Sequence, residues 1–184
     1  MSRPKHLRLS LSYGQLLGST FISPTIGLAT VGPRVQVKVG FHDYLAKKLK
    51  EKGDKIPDAI VGTALIDTGA AVTTIDSEVA KSLNLRPSGQ VESCGIGGKV
   101  IGFTVACSID IKGLKLNIPR AHCHDLTKHV KGLIALIGRD VLRSLILNYD
   151  GPKGEVELLL PIPASYITDN THRLPPPKKW RKRR

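Results

Sequence analysis

One carboxylate stands out for its surroundings. Ala59-Ile60-Val61-Gly62-Thr63-Ala64-Leu65-Ile66 is an almost continuous apolar run, and it stops at Asp67-Thr68-Gly69. A carboxylate at the end of an apolar strand is desolvated unless it is protonated, paired or hydrogen-bonded. Its proton occupancy is therefore set by its neighbours, which is the property acid–base chemistry uses. Thr68 adds a hydroxyl beside it, and Gly69 lets backbone approach closely. Further along, a second apolar stretch, Ala135-Leu136-Ile137, runs into Gly138-Arg139-Asp140.

These groups need elements to hold them. Pro33 opens Arg34-Val35-Gln36-Val37-Lys38-Val39, whose alternation predicts a half-buried strand. His42 to Lys52 carries Leu45, Ala46 and Leu49 on one face with lysines elsewhere, and Gly53 follows, which predicts a short surface helix. The run 59–66 reads as a strand buried on both faces. Asp76 is a good N-cap for a helix through Leu83, and Asn84 can end that helix in a left-handed conformation. From Val91 to Ala106 the text is punctuated by Gly95, Gly97 and Gly98, the pattern of a hairpin with a flexible tip. Further strands are predicted at 107–111, 114–119, 133–137, 145–149 and 155–160, with a turn at Asp150-Gly151-Pro152-Lys153-Gly154 and a short helix over 139–145. Residues 1 to about 20 show no sustained period and read as a polar arm. After Pro161 the chain becomes Pro-rich and then basic, so it is expected to leave the fold near residue 165.

The ordered set resembles the retropepsin-like aspartic proteases: an apolar strand into Asp67-Thr68-Gly69-Ala70, a glycine-rich hairpin, then two apolar residues, Gly138, Arg139 and Asp140. The resemblance runs from about residue 33 to 160. It implies a mostly-β, single-lobe acid protease fold with short helices. It divides the chain into an N-terminal arm or pro-segment (1–32), a protease domain (33–163) and a Pro-rich basic tail (164–184). Position by position, Asp67 resembles the catalytic aspartate, and Thr68 the residue whose hydroxyl ties two catalytic loops together. Gly69 resembles the loop glycine whose carbonyl faces substrate backbone. Ala70, Ile137 and the flap-like tip Gly95, Ile96, Gly97 and Gly98 resemble substrate contacts. Gly138, Arg139 and Asp140 resemble the support of the catalytic loop, with a surface arginine at a helix start as the plain alternative for Arg139. Retroviral members often carry an acid directly after the D-T-G-A; here Ala71 stands there, a pattern nearer the cellular and bacterial branch.

An aspartic protease of this type needs two carboxylates that share a proton. The chain has one D-T-G and is too short for two lobes, so the resemblance implies a symmetric homodimer contributing Asp67 twice. It implies peptide or protein as substrate, and no metal, cofactor or covalent acyl-enzyme. The alternative from another class is a non-catalytic or latent dimer of the same fold that acts as a binding module.

Other features are weaker. In His122-Cys123-His124 the strand period puts both histidines on one side and Cys123 on the other, and no familiar zinc spacing completes a site. Cys94, Cys107 and Cys123 cannot all pair within the chain, which favours a reducing compartment and a cytoplasmic location. The default for Cys94 is a buried free thiol, with redox tuning near the hairpin tip as its alternative. The net charge of +13 is concentrated at the ends, in Arg3, Lys5 and Arg8 and in the run from Lys178 to Arg184 around Trp180. That tail suits nucleic acid or an anionic surface, or is simply a solvated terminus. No apolar run approaches the roughly 20 residues of a membrane helix, and Gly14, Gly18, Ser19 and Pro24 interrupt what a signal peptide would need.

Overall fold

The computed structural model describes residues 7–13, 15–17, 20–95, 98–128, 130 and 132–160. Gly97, Ile96 and the tail from Pro161 lie outside the described residues, so the expectations placed on them do too. The chain is mostly β, as its periodicities predict. Among the described residues twelve strands and four short helices follow in order: β1 (Leu7–Ser12), β2 (Gln15–Leu17), β3 (Thr20–Ile22), α1 (Pro24–Val31), β4 (Arg34–Phe41), α2 (Asp43–Glu51), β5 (Ile60–Ile66), β6 (Thr74–Asp76), α3 (Ser77–Ser82), β7 (Pro87–Gly95), β8 (Gly98–Ile111), β9 (Leu114–His124), β10 (Leu133–Ile137), α4 (Arg139–Leu142), β11 (Ile146–Asp150) and β12 (Glu155–Leu160). Among the described residues no helix is long and apolar enough to cross a membrane.

The main sheet has the order β4-β5-β10-β6-β9-β8-β7, and β4 also pairs with β8, so six of its strands close on themselves. Alternation drives this closure. Val35, Val37 and Val39 of β4 point inward to meet Ile66, Ile75, Ile109 and Ile137, while Gln36 and Lys38 are exposed. Each such aliphatic side chain removed from water contributes about 1.5–3 kcal/mol. The strand β8 is long enough to serve two partners. Its end, Cys107–Asp110, pairs with β4, while its start, Gly98–Val105, pairs with β7 and carries a hairpin away from the closed sheet. Between these halves the β8–β9 register shifts, with Ala106 set against Pro119-Arg120. Proline lacks a ladder donor, so an irregularity is where it fits. At the other end Lys112 and Gly113 both have positive φ and close the β8–β9 hairpin in two residues.

Local signals read from sequence are realised. His42 caps α2 through Nδ1, which accepts from Tyr44 N, and Gly53 leaves with φ +77°. Asp76 caps α3 by accepting from Glu78 N, and Asn84 ends it at φ 52°. Three readings change. The strand β5 is not buried on both faces: Ala64 and Ile66 are in the core, but Val61 is 62% exposed. The helix after Gly138 is a single turn rather than the expected run to Leu145. Within 1–32, read as an arm, β1 pairs with β12 (Leu7 opposite Leu160) and α1 packs on the body. Ser23 caps α1 by accepting from Ile26 N, Pro24 opens it and Gly32 closes it.

Helix α1 docks where two glycines remove side chains. A Cβ on Gly27 would lie 2.1 Å from Tyr13 O, and one on Gly154 would lie 1.9 Å from the Pro24 carbonyl carbon. Gly154 also has φ +62°, a left-handed conformation that costs other residues about 1–2 kcal/mol. Gly53 shares that backbone class but has open space around it. Gly154→Ala is therefore expected to cost about 3–4 kcal/mol and Gly53→Ala about 1 kcal/mol in urea unfolding, the difference reporting the docking of α1 on the β11–β12 turn.

Candidate active site

The two motifs meet because β5 and β10 run in parallel side by side, Leu136 beside Leu65 and Ile137 beside Ile66. Their ends point the same way, so both following turns emerge together. Asp67 N donates to Ile137 O (2.9 Å), and the Asp67 carboxylate Oδ1 accepts from Gly69 N (2.8 Å) and Ala70 N (3.2 Å). Such donors fix the side chain. The turn is tight at Gly69, where a Cβ would fall 3.1 Å from Oδ1. Asp67 is half-buried, while Thr68 and Gly69 are exposed at the tip.

The second turn grips the first. Arg139 N donates to Ala70 O (3.0 Å) and Asp140 N to Ala71 O (3.2 Å). The Arg139 guanidinium donates to both Thr68 O (2.7 Å) and Gly69 O (2.8 Å). Arg139 thus braces the tip rather than lying free on the surface. The Gly69 carbonyl, which the resemblance turns toward substrate, is engaged by this guanidinium.

Beneath the tip lies a relay that the sequence reading missed. Thr73, fully buried, accepts from Gly138 N (3.0 Å) with its hydroxyl and donates that hydroxyl to Asp140 Oδ1 (2.7 Å). The same Oδ1 accepts from Thr73 N (2.9 Å) and Val141 N (2.9 Å). Gly138 is required here, since its Cβ would meet Val72 and Thr73 backbone at 2.6–2.8 Å. The one available signal was a hydroxyl residue shortly after D-T-G with an acid at 140.

The remaining expected site residues divide by face. Leu65, Leu136, Thr74, His122 and Thr104 follow one another across the paired strands, so they share a side of the sheet, the one on which Asp67 continues the alternation of β5. Ile137, read as a substrate contact, has its side chain in the core at 1% exposure; its half-buried neighbour Leu136 occupies the open face. Ala70 is half-buried at the tip. Gly95 and Gly98 face each other at the end of the β7–β8 hairpin. Cys94, on the outer strand of the hairpin, is exposed rather than buried. Cys107 and Cys123 are buried, and desolvation pushes both thiols up, Cys123 to about 12. A groove of about 670 Å³ runs beside the site, lined by Val72 and Asp140, by Val91 and Thr104 of the hairpin, and by His122.

Residues 55–149 match the family model described as aspartyl protease. No curated protein matches the chain. Among solved structures it is similar to a retropepsin-like aspartic protease from Rickettsia conorii (12% identity, TM-score 0.44, covering 86% of this chain and 97% of that one). It is also similar to EIAV protease complexed with the inhibitor HBY-793 (21%, 0.41, 60% and 85%) and to the retroviral protease-like domain of Ddi1 from Leishmania major (11%, 0.36, 64% and 82%).

The relay has a measurable weight. Asp140→Ala leaves the buried Thr73 N–H and hydroxyl without their acceptor and is expected to cost about 2–4 kcal/mol. Asp140→Asn, which keeps an acceptor oxygen, should cost about half as much. Chemical denaturation of the two variants checks the order, and equal losses would show that the oxygen does not carry the interaction.

Proposed function

The chain belongs to the aspartyl protease family, and on that premise we propose that it is an aspartic endopeptidase of retropepsin type, active as a homodimer that brings two copies of Asp67 together. The observation that carries this reading is the Asp67 carboxylate itself, held by Gly69 N and Ala70 N on a turn locked from below by Gly138, Arg139 and Asp140. A turn braced this closely serves a carboxylate whose position matters. The exposure of Thr68 and Gly69 supports the dimer, because the tip of the turn faces outward, where a second copy can meet it about a two-fold axis.

Two apposed carboxylates retain one proton between them. The ionised Asp67 takes a proton from water as the water oxygen attacks the scissile carbonyl carbon. The partner's Asp67, protonated, donates to the carbonyl oxygen. The resulting gem-diol collapses with proton transfer to the leaving nitrogen, breaking the C–N bond and restoring the shared proton. The pH–rate profile belongs to the pair and is bell-shaped. In this reading Thr68 joins the two turns across the axis, Arg139 positions the tip, and the β7–β8 hairpin covers an extended peptide whose backbone it pairs with.

Asp67→Asn is expected to abolish cleavage of a diverse peptide library between about pH 3 and 8 while sedimenting as wild type does. Mixing supplies the sharper test. With equal amounts of wild type and Asp67→Asn exchanging freely, about a quarter of the dimers carry two carboxylates, so cleavage should fall to about a quarter of that given by wild type at the same total concentration. Activity that falls only by half would show that each chain works alone.

A further inference from the structure

Three side chains outside the catalytic turns are joined across an intervening strand. Ser93 Oγ, on β7, lies 2.8 Å from His124 Nε2 and 3.2 Å from His122 Nδ1, both on β9. The strand β8 runs between β7 and β9, and the contact exists because β8 has no side chain there. A Cβ on Gly102 would lie 2.4 Å from His124 Cε1 and 2.7 Å from its Nδ1. The imidazole therefore crosses over Gly102 to reach the hairpin arm two residues before Gly95. The two rings meet edge to face with centroids 6.1 Å apart. His122 also lines the groove beside the site, and both rings stand on the face of the sheet that carries Thr74 and Leu136.

The hydrogens in this cluster follow from its geometry. His124 Nδ1 is buried without a partner, so the ring nitrogen lacking a hydrogen is placed there at least cost. His124 Nε2–H then donates to Ser93 Oγ, and the Ser93 hydroxyl donates to His122 Nδ1. Both rings are neutral in that arrangement and every hydrogen near Ser93 has an acceptor. Protonating both rings gives two donors aimed at one oxygen, strands the Ser93 hydroxyl hydrogen, and buries an unpartnered charged N–H on His124.

The geometry points to a pH-dependent clamp: neutral His122 and His124 position the β7–β8 hairpin through Ser93, and their protonation releases its arm. The consequence for catalysis rests on the reading of this hairpin as the cover of the site; the clamp itself does not. Burial lowers the affinity of both rings for a proton from the ordinary histidine value, and His124 lowers that of His122 further. Asp140 opposes this for His122 and Asp125 for His124, but both carboxylates are already engaged, Asp140 by Thr73 and Val141, Asp125 by Ser77 and Lys128. Asp76, level with His124 on β6, is taken by Glu78 N and Thr127. On the hairpin Glu92 pairs with Lys99 at 2.8 Å, and Cys94 is exposed. Arg120 and Arg143 line the groove with His122. The sign follows: the folded arm binds fewer protons than the released one, so its hold is complete above about pH 6.5 and weakens as pH falls through that value.

Hydrogen–deuterium exchange of residues 87–95 in the full chain, corrected for intrinsic rates, reads this without catalysis. On going from pH 7.5 to 5, protection of the arm is expected to fall roughly tenfold, about the effect of repulsion between two partly screened cations at this ring separation. His122→Asn with His124→Gln places amide groups near Nδ1 and Nε2 that bond Ser93 but do not titrate, and should remove the pH dependence. A wild-type arm with constant protection, or the same fall in the double variant, overturns the clamp. Should the double variant fail to fold, the wild-type imidazole carbon shifts decide: titration midpoints at or above the ordinary histidine value overturn it, and depressed midpoints accompanied by loss of arm protection support it. Cleavage by wild type but not Asp67→Asn tests the protease reading separately.

Discussion

A carboxylate at the end of an apolar strand must be given hydrogen-bond donors, and the donors must be held in place by something other than the carboxylate. Here the donors are Gly69 N and Ala70 N, and what holds them is the second turn. Arg139 takes the carbonyls on the outside of the tip, while Thr73 joins Gly138 to Asp140 underneath it. The parallel pairing of β5 with β10 makes this possible, because only parallel neighbours deliver two turns to the same edge of the sheet. Inserting β6 on the far side of β10 then returns the chain under its own turn. Each of these features depends on the others, so the site is a property of the topology rather than of a loop.

The closed sheet and the hairpin place opposite demands on one strand. A closed sheet needs β8 paired on both sides, while a cover over the site needs β8 to leave the sheet with a partner of its own. The shift at Ala106 and Pro119-Arg120 divides the strand between these tasks. Below it, Cys107 to Asp110 lies against β4; above it, Phe103 to Val105 stays paired with β9 while β7 takes the other edge, and Ser93 with its histidines links that arm across Gly102. The absence of a side chain at Gly102 thus admits the imidazole that restrains the arm.

Much of this was legible in the residues. The alternation of Val35, Val37 and Val39, the cap at Asp76, the left-handed Asn84 and the turn before Glu155 depend on neighbours in sequence, and local physics fixes them. The Asp67 and Gly138 motifs were readable because each needs particular residue types in a particular order. Helix α1 was hidden, since Pro24-Thr25-Ile26-Gly27-Leu28-Ala29-Thr30-Val31 holds two threonines, a valine and a central glycine, and what anchors it is tertiary: Leu28 in the core and close backbone approach at Gly27 and Gly154. The strand β1 was hidden because its partner lies at the other end of the chain. The exchange of Ile137 for Leu136 on the open face is a parity error of one residue, which reverses every side chain along a strand. The Thr73 relay and the Ser93 cluster bring together residues far apart in sequence, and no local pattern announces them.

The pairing of Leu7 with Leu160 gives the two edges of β12 unequal costs of formation. The strand β12 meets β11 across a short turn, a local pairing with little loop entropy to overcome, as soon as both have left the ribosome. Its other edge is filled by β1, a partner far away in sequence, whose pairing has a long loop to close. Removing β1 would therefore leave an open edge of β12 for another polypeptide to occupy.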